Sequence, residues 1–189
     1  MRWLFRFNVG GERPNDPREM APGLGHAMRC LALERVVRQD HSADTIFMFD
    51  GDSQSKKHME NFGVATAGVE DEEGILNSFR PTIIVLDINY LEPEKILWYR
   101  KWAPVINLAP RGLPKFYSDC TFSAFAIDDI PIPVGASDAV LHKGPQYAIV
   151  GEDFVKIRLN SDTVHNRRPG SDIVVSMGGK DYHKLRFSF

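Results

Sequence analysis

The stretch "TIIVLDI", residues 82–88, decides how this chain folds. Most of its side chains are β-branched and its apolar run does not alternate with polar residues. Such a run fits a strand buried on both faces, the usual situation inside a parallel sheet. A charge, Asp87, ends it. The same texture recurs in Trp3–Val9, in "TIFMF" (45–49) and in "PVINL" (104–108), with a weaker echo in "GVATA" (63–67). Between these runs the pattern turns helical. Gly25 to about Gln39 reads as a helix whose Met28, Leu31, Ala32 and Val36 would form the buried stripe. Ser53–Phe62 reads as a helix stopped at Gly63, and "DEEGILNSF" (71–79) and "EPEKILWYRKW" (92–102) read as two more. Trp98 and Trp102 sit one turn apart, where core packing rather than sugar stacking is expected. Strands alternating with helices predict an α/β, Rossmann-like parallel sheet with helices on both faces. Residues 109–150 are rich in proline and give no clear element.

The chain has 189 residues, a formal net charge of -2 and 43% hydrophobic residues. That suits a soluble core and gives no basic surface for nucleic acid. Two cysteines, Cys30 and Cys120, read as reduced thiols. The apolar N-terminus is interrupted by Arg6 and lacks a cleavage site, and no run approaches the roughly 20 residues of a membrane helix. A cytoplasmic protein without membrane partners is expected. Residues 1–159 read as one domain. The polar segment "NSDTVHNRRPGS" (160–171) reads as a linker, and 172–189, with the strand-like "DIVVSMGGKD" (172–181), as the truncated start of a second Rossmann-like domain.

In open parallel sheets, ligands bind beyond the carboxyl ends of the strands. Three groups should meet there: Arg6 and Asn8 near the end of the first strand, Gly23, Gly25 and His26 at the following helix start, and Asp87, Asn89 and Tyr90 past "TIIVL". Glycines at a helix start let backbone N–H groups approach an anionic oxygen. The spacing is not the dinucleotide fingerprint, because Met28 fills the third glycine position. His26, in the first helical turn, would be disfavoured as an imidazolium by the helix dipole, leaving a neutral ring that accepts a proton from water. Arg29, three residues on, faces the same side and could hold a carboxylate or a phosphate. The plainer alternative makes His26 a partly exposed helix-start residue and pairs Arg29 with Glu34 or another surface acid. Asp87 could bind sugar hydroxyls, orient a histidine, or serve a turn. The remaining histidines are scattered without metal-ligand spacing, so no metal site is expected. There is no phosphate-binding Walker loop and no "GxSxG" elbow.

Several of these segments together resemble one family. "GLGHAMRCLAL" (23–33) is similar to the Gly-x-Gly-His-x-x-Arg-Cys signature of the nucleotide-sugar hydrolases of pseudaminic acid biosynthesis, which include related spore-coat polysaccharide proteins. Arg6 before that loop, "VLDINY" (85–90), "GPQYAIVGEDF" (144–154) and "VVSMGGKD" (174–181) resemble further family segments in the same order. The resemblance implies a glycosyltransferase-B architecture of two Rossmann-like domains around a cleft. It implies cleavage of a UDP-linked diacetamido-trideoxy sugar to UDP and free sugar, without metal or other cofactor. His26 would be the base that activates water, with Asp87 and Tyr90 positioning sugar or water. Arg6, Gly23, Gly25, Arg29 and Asn89 would contact substrate. Gly178, Gly179 and Asp181 would begin the nucleotide side. Two departures stand out: the loop between Arg6 and Gly23 is long, and "APRG" (109–112) replaces the family's Asp-Asp pair. Because only eight residues follow Asp181, weak or absent activity is expected of this chain alone, with self-association or a partner completing the cleft. A glycosyltransferase of the same architecture and a non-catalytic carbohydrate- or nucleotide-binding domain remain the alternatives.

Overall fold

The computed structural model describes residues 1–9, 24–51, 53–88, 91–108, 116–124 and 140–159. Its elements are β1 (Arg2–Val9), α1 (Gly25–His41), β2 (Asp44–Gly51), α2 (Ser53–Glu60), β3 (Thr66–Ala67), α3 (Glu72–Phe79), β4 (Ile83–Asp87), α4 (Pro93–Arg100), β5 (Val105–Leu108), β6 (Cys120–Ser123), β7 (Val140–Lys143) and α5 (Glu152–Leu159). The strands form one sheet in the order β3-β2-β1-β4-β5-β6-β7, and every pairing is parallel. This is the α/β, Rossmann-like arrangement the sequence predicts. Chain order runs one way from β1 through β2 to β3 and the other way from β4 onward. The reversal point therefore lies between β1 and β4, the place where such sheets open a crevice.

Side-chain alternation along the strands builds two cores. On one face Phe5, Phe7, Val9, Phe47, Phe49 and Val85 pack with Ala27, Cys30, Leu31 and Val37 of α1 and Met59 of α2. On the other, Leu4, Met48, Ile84, Leu86 and Val105 pack with Leu76 of α3 and Ile96 and Tyr99 of α4. Trp98 and Trp102 meet edge to face, centroids 6.2 Å apart, against this second core.

Three details differ from the sequence reading. The buried stripe of α1 is turned round the helix: Met28 and Val36 are each 50% exposed and Ala32 is half-buried, while Ala27, Cys30, Leu31, Glu34 and Val37 face inward. Glu34 tolerates burial because Arg38 pairs with it one turn on and the Thr45 hydroxyl donates to it at 2.8 Å. The predicted second helix stops at Glu60, short of Phe62, and the chain turns at Gly63, whose φ of +67° suits glycine. Residues 109–150, unassigned in the sequence, contribute β6 and β7 to the sheet. The proposed linker and second-domain start, 160–189, lie outside the described residues. Among the described residues no helix is long and apolar enough to cross a membrane.

Candidate active site

The register of β1 on β4 sets Phe7 beside Asp87, so the Asp87 side chain emerges on the α1 face of the reversal point. α1 starts there at Gly25, and His26 and Arg29 project from its first turns onto that carboxylate. His26 Nδ1 lies 2.7 Å from Asp87 Oδ1. Arg29 donates from Nε to Oδ2 at 2.9 Å and from Nη2 to Oδ1 at 2.8 Å. Asp87 is wholly buried, His26 is 8% exposed, and Arg29 reaches out toward solvent. A buried carboxylate is tolerated only when paired and hydrogen-bonded, and here both oxygens are occupied. Burial by itself would lower the Arg29 pKa, but the Asp87 hydrogen bonds and charge outweigh it and leave the guanidinium raised. A methyl at Gly25 would meet nothing closer than Arg29 Nη1 at 3.9 Å, so packing does not demand this glycine. Among the described residues the α1 N-terminus has no side-chain cap and no acid in its first turn, which suits its N–H groups to an anion.

No protein-family profile and no solved structure matches the chain. The uncharacterized protein MJ1062 of Methanocaldococcus jannaschii is 20% identical over 171 residues, covering 86% of this chain and 35% of that protein. The chain thus spans about a third of the length of this relative.

The structure brings together His26, Arg29, Asp87 and Gly25, and it settles the partner of Arg29: Asp87, with Glu34 engaged by Arg38 instead. It places Arg6 elsewhere. Arg6 pairs with Leu86 across the strands, one residue out of phase with Asp87, so its side chain leaves on the α3/α4 face. There Nε donates to Glu72 Oε1 at 2.9 Å, and Nη1 donates to the Phe7 carbonyl at 2.8 Å and to Asn8 Oδ1 at 2.6 Å. Tyr99 donates to Glu72 Oε1 at 2.7 Å, and Lys95 pairs with Oε2 while its ammonium sits 3.9 Å from the Trp98 ring centroid. Glu72, Lys95 and Tyr99 were not foreseen. Their only trace in the sequence is an acid in the first turn of a predicted helix, a common feature. Gly23, Asn89, Tyr90, Gly178, Gly179 and Asp181 lie outside the described residues. Among the described residues no group of three His, Cys, Asp or Glu could hold a metal ion.

Two expectations follow from these surroundings. Burial, then the Asp87 charge, pushes the Cys30 thiol well up, and Cys120 is raised less strongly by partial burial and Asp119. The thiolate is the reactive form. In the native protein an alkylating reagent should modify Cys120 and spare Cys30 until denaturant is added; peptide mass mapping reads this, and early labelling of Cys30 would contradict its burial. Glu72 is a pH probe. Burial would raise its carboxyl, but hydrogen bonds from Lys95, Tyr99 and Arg6, with the Arg6 charge, hold it below the ordinary 4.5. A carboxyl lowered in the folded state contributes stability above its unfolded pKa and loses it as pH falls through the folded value. The urea-unfolding gap between wild type and Glu72→Gln should therefore be widest near neutrality and narrow below about pH 4.5. A gap independent of pH would remove the ionised carboxylate from the account.

Proposed function

We propose that this chain carries the catalytic-histidine half of a nucleotide-sugar hydrolase that cleaves a UDP-linked diacetamido-trideoxy sugar to UDP and free sugar in surface polysaccharide or nonulosonate biosynthesis. The observation that carries the reading is the 2.7 Å contact between His26 Nδ1 and the buried Asp87 carboxylate at the reversal point of the sheet. With Nδ1 protonated and donating to Asp87, Nε2 keeps its lone pair. It makes no hydrogen bond to a described residue and is the group that takes a proton from water. The water oxygen then bonds to the anomeric carbon, the carbon–oxygen bond to the diphosphate breaks, and UDP leaves with that electron pair. The proton stays on His26, where Asp87 faces the new imidazolium. The N–H groups at the α1 start, uncapped by any described side chain, suit the charge that grows on the departing diphosphate. The motif order from "GLGH" to "MGGKD" supports the same substrate class and a cleft shared with a second domain or partner. A cytoplasmic setting fits the free thiols of Cys30 and Cys120.

The test is a UDP-release assay on the chain in heavy-oxygen water. Slow release of UDP and free sugar in equal amounts, with heavy oxygen at the sugar's anomeric carbon, is the result expected of a chain that carries only the histidine half. Transfer to an added acceptor hydroxyl without label would make the protein a glycosyltransferase. Tight binding of the UDP-sugar without turnover would make it a binding module. Either outcome overturns hydrolysis.

A further inference from the structure

His26 Nδ1 has two neighbours that make opposite demands on it. Asp87 Oδ1, an acceptor, lies 2.7 Å away; Arg29 Nη2, which can only donate, lies 2.9 Å away. In a neutral imidazole each ring nitrogen is either donor or acceptor, so Nδ1 serves one of them. If Nδ1 donates to Asp87, the lone pair stays on Nε2. If Nδ1 accepts from Arg29, the proton moves to Nε2 and the ring loses its base there.

The geometry of the carboxylate resolves the conflict. Arg29 grips Asp87 side-on, Nε on Oδ2 and Nη2 on Oδ1, a planar fork that fixes the plane of the carboxylate as well as its position. The fixed Oδ1 is negative, wholly shielded from water, and aimed at Nδ1. A ring lone pair pointing at it would be repelled, whereas a ring proton gains a charge-assisted hydrogen bond. Few other charged or titratable groups surround the ring among the described residues. Cys30 on α1 is kept as a neutral thiol by burial, β1 presents Phe7 and Val9 on this face, and the Arg6 guanidinium leaves on the other.

We propose that Arg29 is a positioning residue: its fork locks Asp87 so that Oδ1 captures the Nδ1 proton and Nε2 of His26 is left as the acceptor. This rests on His26 being the base and reassigns Arg29 from a substrate contact to a residue acting through Asp87.

Nitrogen-15 NMR of the histidine-labelled, ligand-free chain at neutral pH reads the tautomer directly. The wild type should show one His26 form with Nδ1 protonated. In Arg29→Met the carboxylate is free to rotate, and the two ring-nitrogen signals should move toward each other as tautomers mix. Arg29→Lys keeps the charge without the fork and should behave as Arg29→Met does. A wild-type ring protonated on Nε2, or a single Nδ1-protonated form retained in both variants, overturns the proposal. Where turnover is measured, kcat should fall roughly tenfold or more in Arg29→Met while KM stays within about twofold, since part of a base worth 10²–10⁴ is lost. A raised KM with unchanged kcat would make Arg29 a substrate contact. The NMR result stands apart from the hydrolase reading: a locked tautomer without any UDP release sinks the reaction and leaves the role of Arg29 intact.

Discussion

His26→Ala is expected, on the proposed hydrolase reading, to lower the turnover number for the UDP-sugar about a thousandfold, inside the 10²–10⁴ range of a well-placed general base. The variant should fold, because His26 lies in the first turn of α1 and the only polar partners of its ring among the described residues are Asp87 and Arg29, which stay paired with each other. Asp87→Asn should lose a similar factor by another route. An amide in place of the carboxylate no longer captures the Nδ1 proton, so the ring turns to the wrong tautomer. The two losses share one cause, the missing base at Nε2, and the double variant should be scarcely slower than His26→Ala alone. Steady-state kinetics on the three proteins check this. A loss below about tenfold for His26→Ala would take the histidine out of the chemistry, and additive losses would separate Asp87 from it.

Phe47→Ala should destabilise the fold by about 3–5 kcal/mol, the range for a buried aromatic truncated to alanine. Phe47 is wholly buried on β2. Its ring meets Phe5 at 5.1 Å and, edge-on, Phe7 at 5.6 Å, and Phe7 in turn stacks on Phe49 at 5.5 Å. The truncation removes the centre of that group and leaves a cavity between the sheet and the helices packed on this face, which the surrounding core closes only in part. Against a total stability of about 5–15 kcal/mol, the variant should keep its fold with a melting temperature roughly 10 °C lower or more. Urea titration is the measurement; a midpoint shift worth less than about 1 kcal/mol would mean that the strands collapse onto the void. Phe7 also stands beside Asp87, so the site should loosen with the core.

The sheet was legible because its central strands are continuous apolar runs, and a strand buried on both faces writes itself that way. β6 was not, because "CTFS" has only four residues and alternates polar with apolar, a weak signal between proline-rich segments. The α1 stripe was misjudged for a physical reason. Ala27, Cys30, Leu31, Glu34 and Val37 have helical spacing too, but a charge in the middle hid the pattern, and only the fold supplies Thr45 beside Arg38 to accept it. The His26–Asp87 pair could be anticipated from strand ends alone, since both residues stand at the same rim. The separation of Arg6 from them could not be read from distance along the chain. It follows from the parity of β1 against β4, where a shift of one residue changes the face.

The pairing of β1 with β4 also governs how the protein is made. Arg2 and Thr82 exchange hydrogen bonds across 80 positions of sequence. Contacts of such long range form late, because their loop closure precedes any gain from pairing. At synthesis rates of about 5–20 residues per second, β1 waits several seconds on the ribosome before β4 emerges. During that interval "WLFRFNV" is an apolar strand whose β4 edge is unpaired, a segment suited to a chaperone's grip. The rim that joins His26 to Asp87 cannot exist before the nascent chain has passed Asp87, so a stall upstream of that codon would leave an aggregation-prone fragment without it.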